Sequence, residues 1–166
     1  MLTDRPAGAR IPAWLALAGF ILLCLAAGWL GSIATTPAIP TWYAGLEKPP
    51  FNPPNAVFPI VWTILYVLMG IAAWRVWRAG LPDTGWALRP FFVQLALNVA
   101  WSFAFFGAES PALGFLVIVL LWLAIVWCIV VFRQVDRWAA FLLLPYLAWV
   151  SFAAVLNGAI WALNPG

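Results

Sequence analysis

The sequence predicts an all-α membrane protein, a bundle of five transmembrane helices with a long structured loop between helices one and two. Three observations carry this. Five charge-free apolar runs, Ile11–Ile33, Ala56–Trp74, Pro90–Ala108, Pro111–Phe132 and Trp138–Leu163, are each long enough to cross the hydrocarbon core, which takes about 20 residues of helix over about 30 Å. Of the 166 residues, 66% are hydrophobic and 8% charged, against about 25% charged in a soluble domain. The segment from Ala34 to Asn55 is long and rich in proline. The whole chain, 1–166, is therefore read as one five-helix domain with no separate soluble part.

Span one, at about 11–33, follows Arg5 and Arg10. It is longer than the apolar core of a cleaved signal peptide and carries Trp14 and Trp29, so it is read as a retained helix. The connection to span two holds Pro37, Pro40, Pro49, Pro50, Pro53 and Pro54 together with Trp42, Tyr43 and Phe51. A long proline-rich loop with aromatic rings in so small a protein reads as a structured lid. Span two is placed at about 56–77 and span three at about 90–108, with Arg89-Pro90 as its start. A tight turn at Gly107–Ser110 leads to span four at 111–132, where the Ser110 hydroxyl can cap and Pro111 suits the first helical position. Span five is placed at 138–163, with Asp136 as its cap. Pro145 removes a bond to the carbonyl of Phe141 and predicts a kink, which either opens a gap or is simply tolerated.

Basic residues orient the bundle. Arg5, Arg10, Arg75, Arg78, Arg89, Arg133 and Arg137 share one side, and Lys48 alone lies on the other. The expected topology has a cytoplasmic N-terminus and an outer C-terminus. The net charge of +3 is scattered over helix ends and does not indicate nucleic acid.

Several chemistries are disfavoured. The chain has no histidine, the usual metal ligand and neutral-pH proton carrier. Cys24 and Cys128 both fall mid-span and read as packing residues, so no metal site and no disulfide is expected. No acid or base lies within a span, whereas ion-coupled transporters usually need one. A cation or drug transporter is disfavoured for that reason.

The polar groups within the spans are neutral: Thr63, Tyr66, Gln94, Asn98, Ser102, Tyr146, Ser151 and Asn157. Gln94, Asn98, Trp101 and Ser102 share one helix face; so do Trp62, Tyr66 and Met69, and so do Tyr146, Trp149, Ala153 and Asn157. Gln94 and Asn157 read as interhelical hydrogen-bond partners. The face of Asn98 and Trp101 is equally compatible with a pocket. Trp62, Trp101 and Trp149 fall at depths where rings from three spans can meet beneath the Trp42–Tyr43 loop. Such a neutral aromatic cavity suits a flat hydrophobic ligand with a few polar edges.

Three ordered blocks then identify a resemblance. Trp42-Tyr43-Ala44-Gly45-Leu46-Glu47-Lys48-Pro49-Pro50-Phe51-Asn52-Pro53-Pro54 with Phe58-Pro59 and Trp62, Gln94 to Trp101 running on to Phe105-Phe106-Gly107, and Pro145-Tyr146-Leu147-Ala148-Trp149 running to Leu156-Asn157 resemble the translocator protein family. It is also called the tryptophan-rich sensory protein or peripheral benzodiazepine receptor family. The resemblance covers about Thr35 to Asn164 and implies a bacterial member in the inner membrane. It implies a five-helix bundle, often a homodimer, that binds protoporphyrin IX or haem, sterols or synthetic ligands beneath the first loop, with roles in tetrapyrrole handling and stress response. By motif, the ligand-binding residues would include Tyr43, Pro53, Trp62, Tyr66, Asn98, Ser102, Phe105, Trp149 and Ala153, joined by Trp42, Phe58 and Trp101 from the same blocks. Two departures stand out. Animal members carry a tyrosine and an arginine in a sterol motif near the end of helix five, where this chain has Gly158 and Ala162; and Leu113–Leu121 lacks the acid many relatives have in helix four.

The expected function is receptor-like or transporter-like tetrapyrrole binding, with regulation or translocation of the ligand and no cofactor. The alternative is light-dependent oxidative degradation of protoporphyrin IX, with Trp62 and Trp149 as candidate chemical residues. No general base or nucleophile is visible for ordinary enzymology. Photochemistry needs neither, because the pigment absorbs the light. Small residues that could seat a second copy recur at Gly70 with Ala73 and at Ala154 with Gly158.

Overall fold

The computed structural model describes residues 11–80, 82 and 84–165. Among these, five helical stretches are long and apolar enough to cross a membrane, and no strand occurs. The chain is a multi-pass α-helical membrane protein. In order, α1 is Ala13–Ala38, α2 the short Trp42–Gly45, α3 Val57–Arg78 and α4 Thr84–Ser102, prolonged by a π-helical turn at Phe103–Gly107; then come α5 Pro111–Val135, α6 Arg137–Leu142 and α7 Leu144–Leu163.

Two boundaries differ from the sequence expectation. The first span runs on through Pro37 to Ala38, so the lid begins later than Ala34. Proline in the last turn forfeits only its own bond to Ile33, and Thr41 donates its hydroxyl to the Pro37 carbonyl at 2.8 Å. The third span starts at Thr84, and Pro90 sits inside α4, not at its first position. The added turn buries Ala87 and Leu88 in the core, a packing gain that outweighs one missing backbone bond.

Other boundaries follow local chemistry. The Ser110 hydroxyl accepts from the Leu113 N–H, with Pro111 at the start of α5. Glu109 takes a left-handed φ of 51° in the turn before it. Asp136 caps α6, accepting from the Trp138 and Ala139 N–H groups. Its carboxylate also pairs with Arg75 at 2.8 Å, which ties the end of α3 to the α5–α6 corner. Pro145 divides the fifth span into α6 and α7. That break opens no gap: Leu143 and Tyr146 beside it are 1% and 0% exposed.

Close approaches set the helix spacing. A Cβ on Gly70 would stand 2.7 Å from the Ile21 Cα, and one on Gly114 would stand 2.7 Å from the Phe105 ring. Gly70, Ala73 and Gly158, expected as possible seats for a second copy, therefore pack inside this chain: Gly70 on α1, Gly158 on Phe115, Ala73 in the core. The lid is structured. Tyr43 is buried and donates to the Asn52 side chain at 2.9 Å. Asn164, just past α7, exchanges two 3.0 Å bonds with the backbone of Glu47.

Gly70→Ala is expected to destabilise the protein by about 1–3 kcal/mol through overpacking against backbone, whereas Gly19→Ala, with open space around it, leaves the detergent melting temperature unchanged. Burial alone raises the Asp136 pKa, but the Trp138 N–H, the Arg75 hydrogen bond, the Ala139 N–H and the Arg75 charge outweigh it and hold the carboxyl below its usual 3.8. A depressed folded-state value means stability that is present above pH 3.8 and lost as the pH falls through the lower folded value. Melting curves taken downward from pH 5 should show this loss, and Asp136→Asn, which keeps a cap but not the charge, should flatten it.

Candidate ligand cavity

The site is assembled around a chain of hydrogen bonds. Tyr66 of α3 donates to the Asn98 side-chain oxygen at 2.6 Å, the Asn98 amide donates to the Tyr146 hydroxyl at 3.1 Å, and Tyr146 donates to the Gln94 oxygen at 2.9 Å. These four residues, on α3, α4 and α7, are all buried. In hydrocarbon a polar side chain must be satisfied by another part of the protein, so the chain fixes the mutual register of three helices. Gln94 serves here as the interhelical partner the sequence suggested, although its Nε2 is buried without a partner.

Toward the lid from this chain lies a cavity of about 440 Å³, within the range of small-molecule pockets. Its floor and walls include Trp62, Tyr66, Asn98, Trp101, Ser102, Phe105 and Ala153, with Tyr43 and Phe58 toward the lid. Among the described residues the lining carries no charged side chain. Trp62 stacks on Tyr66 with centroids 5.6 Å apart and meets Tyr146 edge-on at 6.1 Å. Trp101 stacks on Phe105 at 5.6 Å and donates its N–H to Asn157 at 3.2 Å; Asn157 donates in turn to the Pro111 carbonyl at 2.7 Å. The π turn gives Phe105 and Phe106 an aspect that a regular helix would not, which brings both against the lid. Burial raises the Tyr43 phenol above its ordinary 10, moderated by Asn52, so this lid hydroxyl stays neutral at physiological pH.

Nine of the twelve residues singled out from the sequence line this cavity: Tyr43, Phe58, Trp62, Tyr66, Asn98, Trp101, Ser102, Phe105 and Ala153. Three do not. Trp42 lies behind Tyr43, packed on Phe105 and Phe106 at 5.4 and 6.4 Å. Pro53 belongs to the loop, where its carbonyl accepts from the Asn52 amide. Trp149 is the main correction. It is wedged between Phe58 at 5.9 Å and Phe152 at 5.5 Å, at the α3–α7 seam, with its indole N–H unpartnered. The reason is a neighbouring ring: Phe58, which lines the cavity, stands against the Trp149 indole and takes the place in the wall.

The sequence reading missed the wall given by α1. Leu25, Gly28, Ser32, Thr35 and Ile39 line the cavity at alternating spacings of three and four, and this stripe of small and hydroxyl residues was a legible signal. Trp29 lines the cavity too.

Tyr146→Phe removes a donor and an acceptor at once and leaves buried amide groups of Gln94 and Asn98 unpaired. A cost of about 1–3 kcal/mol per orphaned group is expected. Tyr66→Phe removes only one bond, so melting temperatures should rank wild type, Tyr66→Phe, Tyr146→Phe in descending order.

Residues 20–162 match the TspO/MBR family. The chain is 46% identical to the tryptophan-rich protein TspO of Chlorobaculum tepidum over 91% of this chain and 97% of that one. It is 44% identical to the protein of the same name from Archaeoglobus fulgidus, over 90% and 97%. The human translocator protein is 37% identical, over 93% and 94%. With the match spanning all five membrane helices and the cavity between them, the chain belongs to the TspO/MBR family.

Proposed function

We propose that this protein is a membrane receptor for a flat, largely apolar ligand of the tetrapyrrole class, held in the aromatic cavity beneath the lid and regulated or passed on from there. The observation that carries the reading is the lining: stacked Trp62–Tyr66 and Trp101–Phe105 pairs around an uncharged space of about 440 Å³. Aromatic faces suit a planar π-system, and a few amide and hydroxyl groups suit its polar edges. The lining holds no histidine, cysteine or methionine to serve as an axial ligand, and the hydroxyls of its two tyrosines, Tyr43 and Tyr66, are engaged by Asn52 and Asn98. The donor set therefore favours the metal-free porphyrin over haem. Ligand carboxylates belong near the lid, where Lys48 sits 4.7 Å over the Tyr43 ring. The basic residues at the helix ends support an orientation with the N-terminus in the cytoplasm and the lid on the outer side of a bacterial inner membrane. In a homodimer each copy would keep its own cavity, since all the walls come from one chain.

A second reading, light-driven oxidation of the bound porphyrin by dioxygen, is favoured by one observation: Trp62 is in the wall and in ring contact with two tyrosines. Trp149 is one ring removed, behind Phe58.

Micromolar protoporphyrin IX should quench tryptophan fluorescence of the purified protein, and Trp62→Phe should weaken the apparent affinity by about tenfold, the loss of a contact worth about 1.4 kcal/mol. Absence of quenching in wild type overturns the receptor reading. Under illumination, faster loss of the porphyrin absorbance band with wild type than with Trp62→Phe at equal occupancy supports the photochemical reading; equal loss removes it.

A further inference from the structure

The cavity is sealed on most of its sides and open on one. Above it the lid is latched: Tyr43 is 5% exposed, Trp42 packs on the π turn, and Asn164 grips the Glu47 backbone from the end of α7. Between α1 and α4, Gly31 lies so close to Ser102 that a Cβ would stand 2.8 Å from its hydroxyl oxygen. Between α3 and α7 the seam is filled by Phe58, Trp149 and Phe152 in series. Toward the other membrane face, Gly28 abuts the Tyr66 ring and Gly70 abuts α1, which closes α1 on α3 in that half.

The exception is the lid-side half of the α1–α3 seam. Here lining residues are also exposed: Trp29, at 66%, and Thr36 from α1, Pro59 and Thr63 from α3, and Asn55 just before α3 where the lid joins it. The lining residues on α4 and α7 are buried or half-buried. Thr63 sits about 9 Å along α3 at 1.5 Å per residue, a depth that faces acyl chains and not bulk water. Hydroxyls are tolerable there because they are bonded to their own helices: Thr63 donates to the Pro59 carbonyl at 2.8 Å and Ser32 to the Trp29 carbonyl at 2.7 Å. Their protons are thus committed to backbone carbonyls of their own helices.

We propose that the cavity is loaded sideways, through a slot between α1 and α3 in the lid-side leaflet, by a ligand already dissolved among the acyl chains. The identity of that ligand rests on the tetrapyrrole reading above; the slot itself does not. A planar amphiphile concentrates in the bilayer before it meets protein, so a lateral slot samples it at its highest local concentration while the latched lid keeps water out. Trp29 and Thr63 form the two jambs of the slot, and widening or narrowing it alters the rate of passage.

In lipid nanodiscs, stopped-flow quenching with protoporphyrin IX reads this directly. Thr63→Trp should lower the association rate constant by about tenfold, equivalent to about 1.4 kcal/mol of barrier, and should slow dissociation as well, whereas mere loss of a binding contact would speed it. Trp29→Ala should raise both, and Asn164→Ala, which frees the lid, should change neither. Acceleration by Asn164→Ala with no effect of Thr63→Trp overturns the proposal in favour of loading through the lid. If wild type binds no porphyrin, the tetrapyrrole reading has failed and the slot is tested without it. Cys24 and Cys128 are both buried, so an introduced cysteine reports alone. Ala153→Cys, on the far wall of the cavity, should be labelled by a maleimide on an acyl chain, should be protected in the Thr63→Trp background, and should resist a membrane-impermeant polar maleimide. Labelling by the polar reagent alone, or by neither because the cavity is closed or a second copy covers the slot, overturns the proposal.

Discussion

The Tyr146 hydroxyl is the join on which the bundle depends. It is completely buried, accepts from Asn98, and donates to Gln94. Water cannot relieve an unpaired group at that depth, so α4 and α7 can meet in only one register. Tyr66 extends the same chain to α3. Pro145, immediately before Tyr146, breaks the fifth span so that α7 starts there with its own direction. The proline sets where the helix turns, and the phenol sets where it stops sliding.

What lies toward the lid from this join follows from it. Toward the other membrane face, small and branched residues, including Ala72, Ala73, Val76, Ala87 and Ile125, are fully buried in the core. Toward the lid the inward positions pass to rings that stack on one another, Trp62 on Tyr66 and Trp101 on Phe105. Flat faces lean together along the walls and leave the middle empty. The π turn at Phe103–Gly107 adds to this by re-aiming Phe105 and Phe106 at the lid. α1 completes the enclosure but is the least committed wall, with 11% of its apolar window buried against 33% to 39% in the other spans. Its packing relies on glycines where it touches, at Gly28 and Gly31, and lapses where Trp29 and Thr36 turn outward.

Much of the site was legible because its residues recur at helical spacing on spans whose inward faces are marked by polar groups. Asn98, Trp101 and Ser102 show this on α4, and Trp62 and Tyr66 on α3. The failures were of two kinds. Trp149 shares a broad face with Tyr146 and Ala153, yet it lies in the α3–α7 seam; periodicity places a residue on a helix face, whereas cavity lining is decided by which ring of a neighbouring helix stands in front of it, here Phe58. The α1 stripe passed unnoticed because glycine, serine and threonine in a span read as packing residues until the helix they face is known.

By itself the sequence determined the five crossings, the lid, the caps at Ser110 and Asp136 and the neutral character of the interior. Those depend on local free energies: transfer of apolar side chains into hydrocarbon, proline's missing donor, and a hydroxyl or carboxylate beside free N–H groups. Only the tertiary structure decided that α4 would tolerate Pro90 in its body, that Trp149 would plug a seam, and that α1 would close on α4 and on one half of α3 while parting from α3 toward the lid. These outcomes turn on contacts between residues far apart in the chain, where a single methyl group or a small rotation exchanges a filled seam for an open one.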